Sequence, residues 1–341
     1  MTSRWWVAVA FTLLPILPAH AAEDQKLFGA EATIPSTRVL RFTSAIDGEP
    51  FTLEVRKPFG PPPKDGYSVL YVLDGELYFS IAQFLSYALP GTSPVVVGIG
   101  HDALRNKDVI MRYAKSPLKD ASKLGVDEAF AAFSNLRVRD FTLPLAPEHR
   151  APIWLGSEDG NIDQFLKVIE TEIKPRIAAL VPVNAADQAL YGHSLGGLAV
   201  IRALFTEPNA FRTFIASSPS LWWDGNAVLK GEAAFANQVR SGRTAPKILI
   251  TAAAGEPDEP PPDRDYLKTL TPDKAAEIAP YAKMSHSWAG MKTGSRALAD
   301  RLGKISGKTG YKVSYELIPD VDHGSEPRVG LIHAMDFAFP R

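Results

Sequence analysis

A chain of 341 residues, 45% of them hydrophobic, can bury one large core or two modest ones. A formal charge of −1 and a pI near 6.7 give no electrostatic basis for binding nucleic acid or an anionic membrane. Cysteine is absent, which excludes a thiol nucleophile, thiolate metal ligands and any disulfide.

The N-terminus reads as a secretory leader. Arg4 supplies the positive start, residues 5–17 the apolar stretch, and Ala19-His20-Ala21 a small-x-small cleavage site. The stretch is too short, and too broken by Pro15 and Pro18, to read as a membrane anchor. Residues 1–21 are therefore expected to be removed, leaving residues 22–341 as one exported domain. A Gram-negative periplasm is the first reading of its location and secretion the second.

Residues 38–44 and 51–57 carry strand character and meet at Asp47-Gly48. A Pro/Gly turn then leads into residues 68–73, an apolar strand that ends at Asp74-Gly75. Residues 94–100 are apolar apart from glycine, as expected of a strand inside a parallel sheet. Residues 163–180 place Phe165, Leu166, Ile169, Ile173 and Ile177 on one helical face, and Pro175 should kink or divide that helix. Further strands are expected at 188–191, 213–217, 247–252 and 312–317. Such alternation predicts an α/β fold with a mostly parallel sheet and helices on both faces. Residues 102–152 and 256–290 fit it poorly and are expected to wall the active site.

Tyr191 to Gly197 reads G-x-S-x-G, with a strand before it and a helical run after it. A strand driven straight into a helix holds Ser194 on a tight turn and aims the first helix amides at its hydroxyl. A serine hydroxyl needs a base, and the base needs a third group to orient it. In this arrangement the base follows the acid in the chain. His323 fits, on a loop just past the last strand, whereas His333 belongs to the final helix and His286 to a wall segment. The acid should follow strand 247–252, where Asp258 is the first choice and Glu256 the second. Oxyanion donors are expected from the amide of Leu195 and from that of Glu76, with Gly75 as the alternative. Trp222 and Trp223 could line the pocket or pack beneath a wall. His193 is either pocket-side or packed on the sheet. Arg112 and Arg139 could bind an anionic substrate, although a structural ion pair explains Arg139 equally well. No H-E-x-x-H or clustered His/Asp pattern calls for a metal, and no motif calls for a cofactor.

Five ordered blocks carry a family resemblance: residues 69–75, Arg139-Asp140-Phe141-Thr142, residues 191–197, Ser218-Pro219-Ser220-Leu221-Trp222-Trp223, and Asp322-His323-Gly324. Together they resemble the Putative esterase family of α/β-hydrolases, and in particular the branch containing the periplasmic siderophore esterases. That resemblance implies an α/β-hydrolase fold, Ser194 as nucleophile, His323 as base and the Asp74-Gly75 turn as oxyanion loop. It also implies a Ser-His pair without a normal acid. Residues 101–136 depart from the family spacing and read as an insertion, with a second near 256–290.

The expected activity is hydrolysis of a small-molecule carboxylic ester through an acyl-enzyme. Within residues 101–136, Arg105, Lys107, Arg112, Lys115, Lys119 and Lys123 are nearly balanced by Asp102, Asp108, Asp120, Asp127 and Glu128. A strongly cationic mouth is not implied, so small neutral acyl esters are expected ahead of a ferric trilactone siderophore. Acyl transfer to another acceptor uses the same groups. The reading from a different class is a non-catalytic periplasmic binding protein on a hydrolase scaffold.

Overall fold

The computed structural model describes residues 34–89, 93–114, 125–149, 159–258, 271–272 and 290–340. The expected leader (residues 1–21), His286 and most of 256–290 lie outside the described residues.

The chain begins with an antiparallel pair, β1 (Thr37–Thr43) and β2 (Pro50–Arg56), joined through Asp47-Gly48 as expected. β3 (Tyr67–Leu73) leads into α1 (Gly75–Ser86), and β4 (Val95–Gly100) follows. α2 (Lys107–Tyr113) and α3 (Val126–Phe141) come next. The helix expected around Pro175 is divided rather than kinked. α4 (Ile162–Val168) passes into a π turn (Ile169–Ile173) and then into α5 (Lys174–Leu180), with Pro175 in the first turn of α5. Proline lacks an amide and crowds the preceding turn, and the wider π turn takes up that misfit.

β5 (Val183–His193) runs into α6 (Leu195–Thr206), and β6 (Thr213–Ser217) precedes α7 (Glu232–Arg240). β7 (Lys247–Ala253), α8 (Met291–Gly303), β8 (Lys312–Ile318) and α9 (Glu326–Ala338) complete the order. The eight strands form one sheet in the order β1-β2-β4-β3-β5-β6-β7-β8, parallel from β4 to β8.

Side chains alternate along each strand, so β3 feeds both faces of the sheet. Val69, Tyr71 and Leu73 join a core shared with α4, α6, α7 and α8. Leu70 and Val72 join a second core with Phe79 of α1 and Leu331 and Met335 of α9. Burial on both faces explains why the central strands read as unbroken apolar runs. Because β3, β5, β6, β7 and β8 point the same way, the segments after them emerge along one carboxyl edge. Loops at that edge form the ligand crevice of open α/β sheets.

Candidate active site

Ser194 sits between β5 and α6 with φ 60° and ψ −118°, a conformation that L-residues rarely adopt. The turn is held by Ser194 N–H donating to Ser217 C=O at 2.9 Å. It closes only over glycine, since a Cβ on Gly192 would lie 2.3 Å from the Gly196 carbonyl oxygen. Ser220 Oγ lies 3.3 Å from Ser194 Oγ.

The loop after β8 brings His323 Nε2 to 3.0 Å from Ser194 Oγ. On the far side of the ring, Nδ1 lies 2.7 Å from Glu256 Oε1. The Glu256 side chain is 1% exposed, in the turn after β7. That turn is tied to the His323 loop by Gly255 N–H donating to Val321 C=O at 2.9 Å. A serine hydroxyl, an imidazole and a buried carboxylate thus form one hydrogen-bonded line.

The amide of Leu195 opens α6 and those of Gly75 and Glu76 open α1, where a helix leaves its first amides without intrahelical acceptors. β3 and β5 are parallel neighbours with Val72 beside Tyr191, so both turns leave the sheet at one place. The Glu76 carboxylate is engaged elsewhere, accepting from His101 N–H at 2.7 Å.

Asp258 as the acid and Arg112 as an anion-binding residue are corrected, whereas the structural alternatives hold for Arg139, Trp223 and His333. Asp258 does not reach His323; it is 47% exposed and pairs with Lys292 Nζ at 2.9 Å. Trp223 is fully buried and donates to Leu143 C=O at 2.7 Å, so it packs under the wall. Trp222 is half-buried against the main core. Arg112 is held by Glu49 at 2.8 Å, and Arg139 by Asp47 at 2.8 Å and Asp140 at 2.6 Å. Their charges serve a network linking α2 and α3 to the start of β2. His333 pairs with Glu316 on the neighbouring β8.

His193 is buried beside His323, the two ring centroids 4.5 Å apart. Burial, with His323 and Arg137 close by, holds its pKa well below the ordinary imidazole value, so it stays neutral. The Tyr78 hydroxyl lies 3.2 Å from His193 Nδ1.

Arg137 of α3 escaped the sequence reading. Its Nε donates to Asp74 Oδ1 at 2.8 Å and its Nη2 to His193 C=O at 3.2 Å. It thereby ties the turn after β3 to the turn that carries Ser194. Burial pushes Asp74 up to about 6, against the pull of Arg137. No local pattern marks Arg137, because both partners arrive from distant strands. Among the described residues no three His, Asp or Glu side chains converge as metal ligands.

The family model described as "Putative esterase" matches residues 154–292. BesA, a ferri-bacillibactin esterase of Bacillus subtilis, is 31% identical over 261 residues, covering 72% of this chain and 77% of its own. A siderophore triacetylfusarinine C esterase of Aspergillus fumigatus is 30% identical over 229 residues, covering 62% of this chain and 66% of its own. Among solved structures, the BES protein of Bacillus cereus superposes with a TM-score of 0.65 at 22% identity, over 92% of this chain and 99% of that one. The siderophore hydrolase EstB of Aspergillus nidulans gives 0.64 at 23% identity, over 91% and 96%. The fold is that of the α/β-hydrolases, a mostly parallel sheet flanked by helices.

Proposed function

Since the chain belongs to the Putative esterase family, we propose that it hydrolyses carboxylic esters through an acyl-enzyme formed on Ser194. The observation that carries this reading is the line from Ser194 Oγ to His323 Nε2, 3.0 Å, and from His323 Nδ1 to Glu256, 2.7 Å. Ser194 Oγ attacks the ester carbonyl while its proton passes to His323 Nε2, and Glu256 steadies the imidazolium. The carbonyl oxygen takes the negative charge and is met by the amide of Leu195 and that of Glu76 or Gly75. His323 then gives its proton to the departing alkoxide. A water attacks the acyl-enzyme by the same route in reverse, releasing the acid and restoring Ser194.

Similarity to siderophore esterases supports a siderophore ester as substrate class. A second reading, small neutral acyl esters, has its own observation. Arg105 and Arg112, cations of the expected insertion, are engaged by Asp102 and Glu49. The leader read in residues 1–21 supports a periplasmic enzyme.

Fluorophosphonate labelling with peptide mapping tests the nucleophile: modification is expected on Ser194, and the Ser194→Ala variant should lose esterase activity while keeping its circular dichroism. Esterase activity within about tenfold of the parent would remove the assignment. Comparing kcat/KM for a ferric trilactone siderophore and a p-nitrophenyl ester on one preparation separates the substrate readings. A preference of about a hundredfold either way decides it.

A further inference from the structure

One buried carboxyl near the site has no part in the proton line. Glu326 is the first residue of α9, three residues after His323, and it is fully buried. Resting on the serine-hydrolase reading above, we propose that Glu326 is the positioning residue for His323, clamping the turn that carries the base onto the ends of β6 and β7.

Glu326 N–H donates to Asp322 C=O at 2.9 Å, so His323 lies inside a turn that Glu326 closes. From that point its carboxyl reaches two strands. Thr251 Oγ1 of β7 donates to Oε1 at 2.5 Å, and Ser217 Oγ of β6 donates to Oε2. Tyr191 OH of β5 donates in turn to Ser217 Oγ at 3.3 Å.

The strand residues contacted are those that place the rest of the machinery. Ser217 C=O accepts the amide of Ser194, and β7 runs on into the turn holding Glu256. Nucleophile, acid and base therefore come from separate segments that meet at one carboxyl. The carboxyl also crosses its own helix where no side chain stands in the way, since a Cβ on Gly330 would lie 2.6 Å from Oε1. Burial raises the Glu326 pKa even though Ser217 and Thr251 donate to it. A group buried at that cost, with both oxygens spent on strand ends, holds geometry rather than solvating a surface. His323 has one short contact on each side, so a small displacement of its loop loosens both.

The test is steady-state kinetics of Glu326→Ala, Glu326→Gln and Thr251→Val on a p-nitrophenyl ester, with folding checked by circular dichroism and Ser194→Ala run alongside. Glu326→Ala should lower kcat about a hundredfold, as expected for a misplacement near 1 Å, and leave KM within about threefold. Glu326→Gln keeps the reach and most of the hydrogen bonding, and should recover kcat to within about tenfold of the parent. Thr251→Val keeps the shape but removes one donor, and should lower kcat with KM unchanged. If Glu326→Ala does not fold, Thr251→Val and Glu326→Gln decide by the same criteria. Parental kcat in folded Glu326→Ala or in Thr251→Val, or equal losses in Glu326→Ala and Glu326→Gln, would overturn the assignment alone. An active Ser194→Ala variant would overturn the serine-hydrolase reading and this assignment together.

Discussion

Glu256 and Asp258 are separated by a single proline, yet their side chains go to different partners. Glu256 is buried against His323 Nδ1, while Asp258 meets Lys292 at the surface. A carboxylate behind an imidazole fixes its tautomer and stabilises the charge it acquires, so Glu256→Gln should cut kcat by about a thousandfold or more. An exposed ion pair contributes little, and Asp258→Ala should stay within about threefold. Steady-state kinetics of both variants check this, and equal losses would show that the turn rearranges. Ser194 and His323 could be read from the sequence because a seven-residue block and the chain order mark them. The sequence narrows the carboxylate behind His323 to Asp258 and Glu256 but in the wrong order, because neighbouring carboxylates on one turn look alike until the fold decides which is enclosed. The same holds for Arg139 and Trp223, whose chemistry suits a pocket but whose neighbours are Asp47, Asp140 and Leu143.

Helix α3 shows what hydrophobic pattern alone does not convey about an element. Residues 102–152 fit the strand–helix alternation poorly, yet a helix runs through them from Val126 to Phe141. Its last turns carry Arg137, Arg139 and Asp140, charged groups engaged by the buried side chains of Asp74, Asp47 and His101. His101 Nε2 lies 2.6 Å from Asp140 and its Nδ1 lies 2.6 Å from Pro50 C=O, so both ring nitrogens face acceptors. Burial opposes charge on His101, but Asp140 and the carbonyl hold its pKa above the ordinary value. The pair anchors α3 to the ends of β2 and β4. Asp140→Asn leaves His101 and Arg139 short of a buried counter-charge and should cost about 3–5 kcal/mol in urea unfolding. Arg105→Ala, at a side chain 62% exposed, should cost no more than about 1 kcal/mol. Similar losses at both positions would mean that the buried network carries no special weight.

For the whole molecule, the parallel centre was legible because strands buried on both faces must be apolar throughout, as residues 69–73 and 95–97 are. Strand order was not, because register and crossover are set by packing between segments far apart in the chain. The assembled core buries two histidines in opposite electrostatic surroundings, and that makes stability depend on pH in two ways. His101 has a raised pKa, so its contribution is complete below the unfolded value of 6.5 and is lost as pH rises through its folded value. His193 has a lowered pKa, so its contribution is complete above 6.5 and is lost as pH falls toward its folded value. The faces differ accordingly: Asp140 and Glu76 surround His101, whereas His323, Arg137 and Tyr78 surround His193. Replacing each by glutamine removes only its own titration. His101→Gln should therefore destabilise more at about pH 5 than at about pH 9, and His193→Gln should do the reverse. Urea unfolding of the parent and both variants at the two pH values isolates these differences from the acid sensitivity that all three share. If the two variants changed with pH in the same direction, at least one of these histidines would have the opposite charge preference in the folded protein.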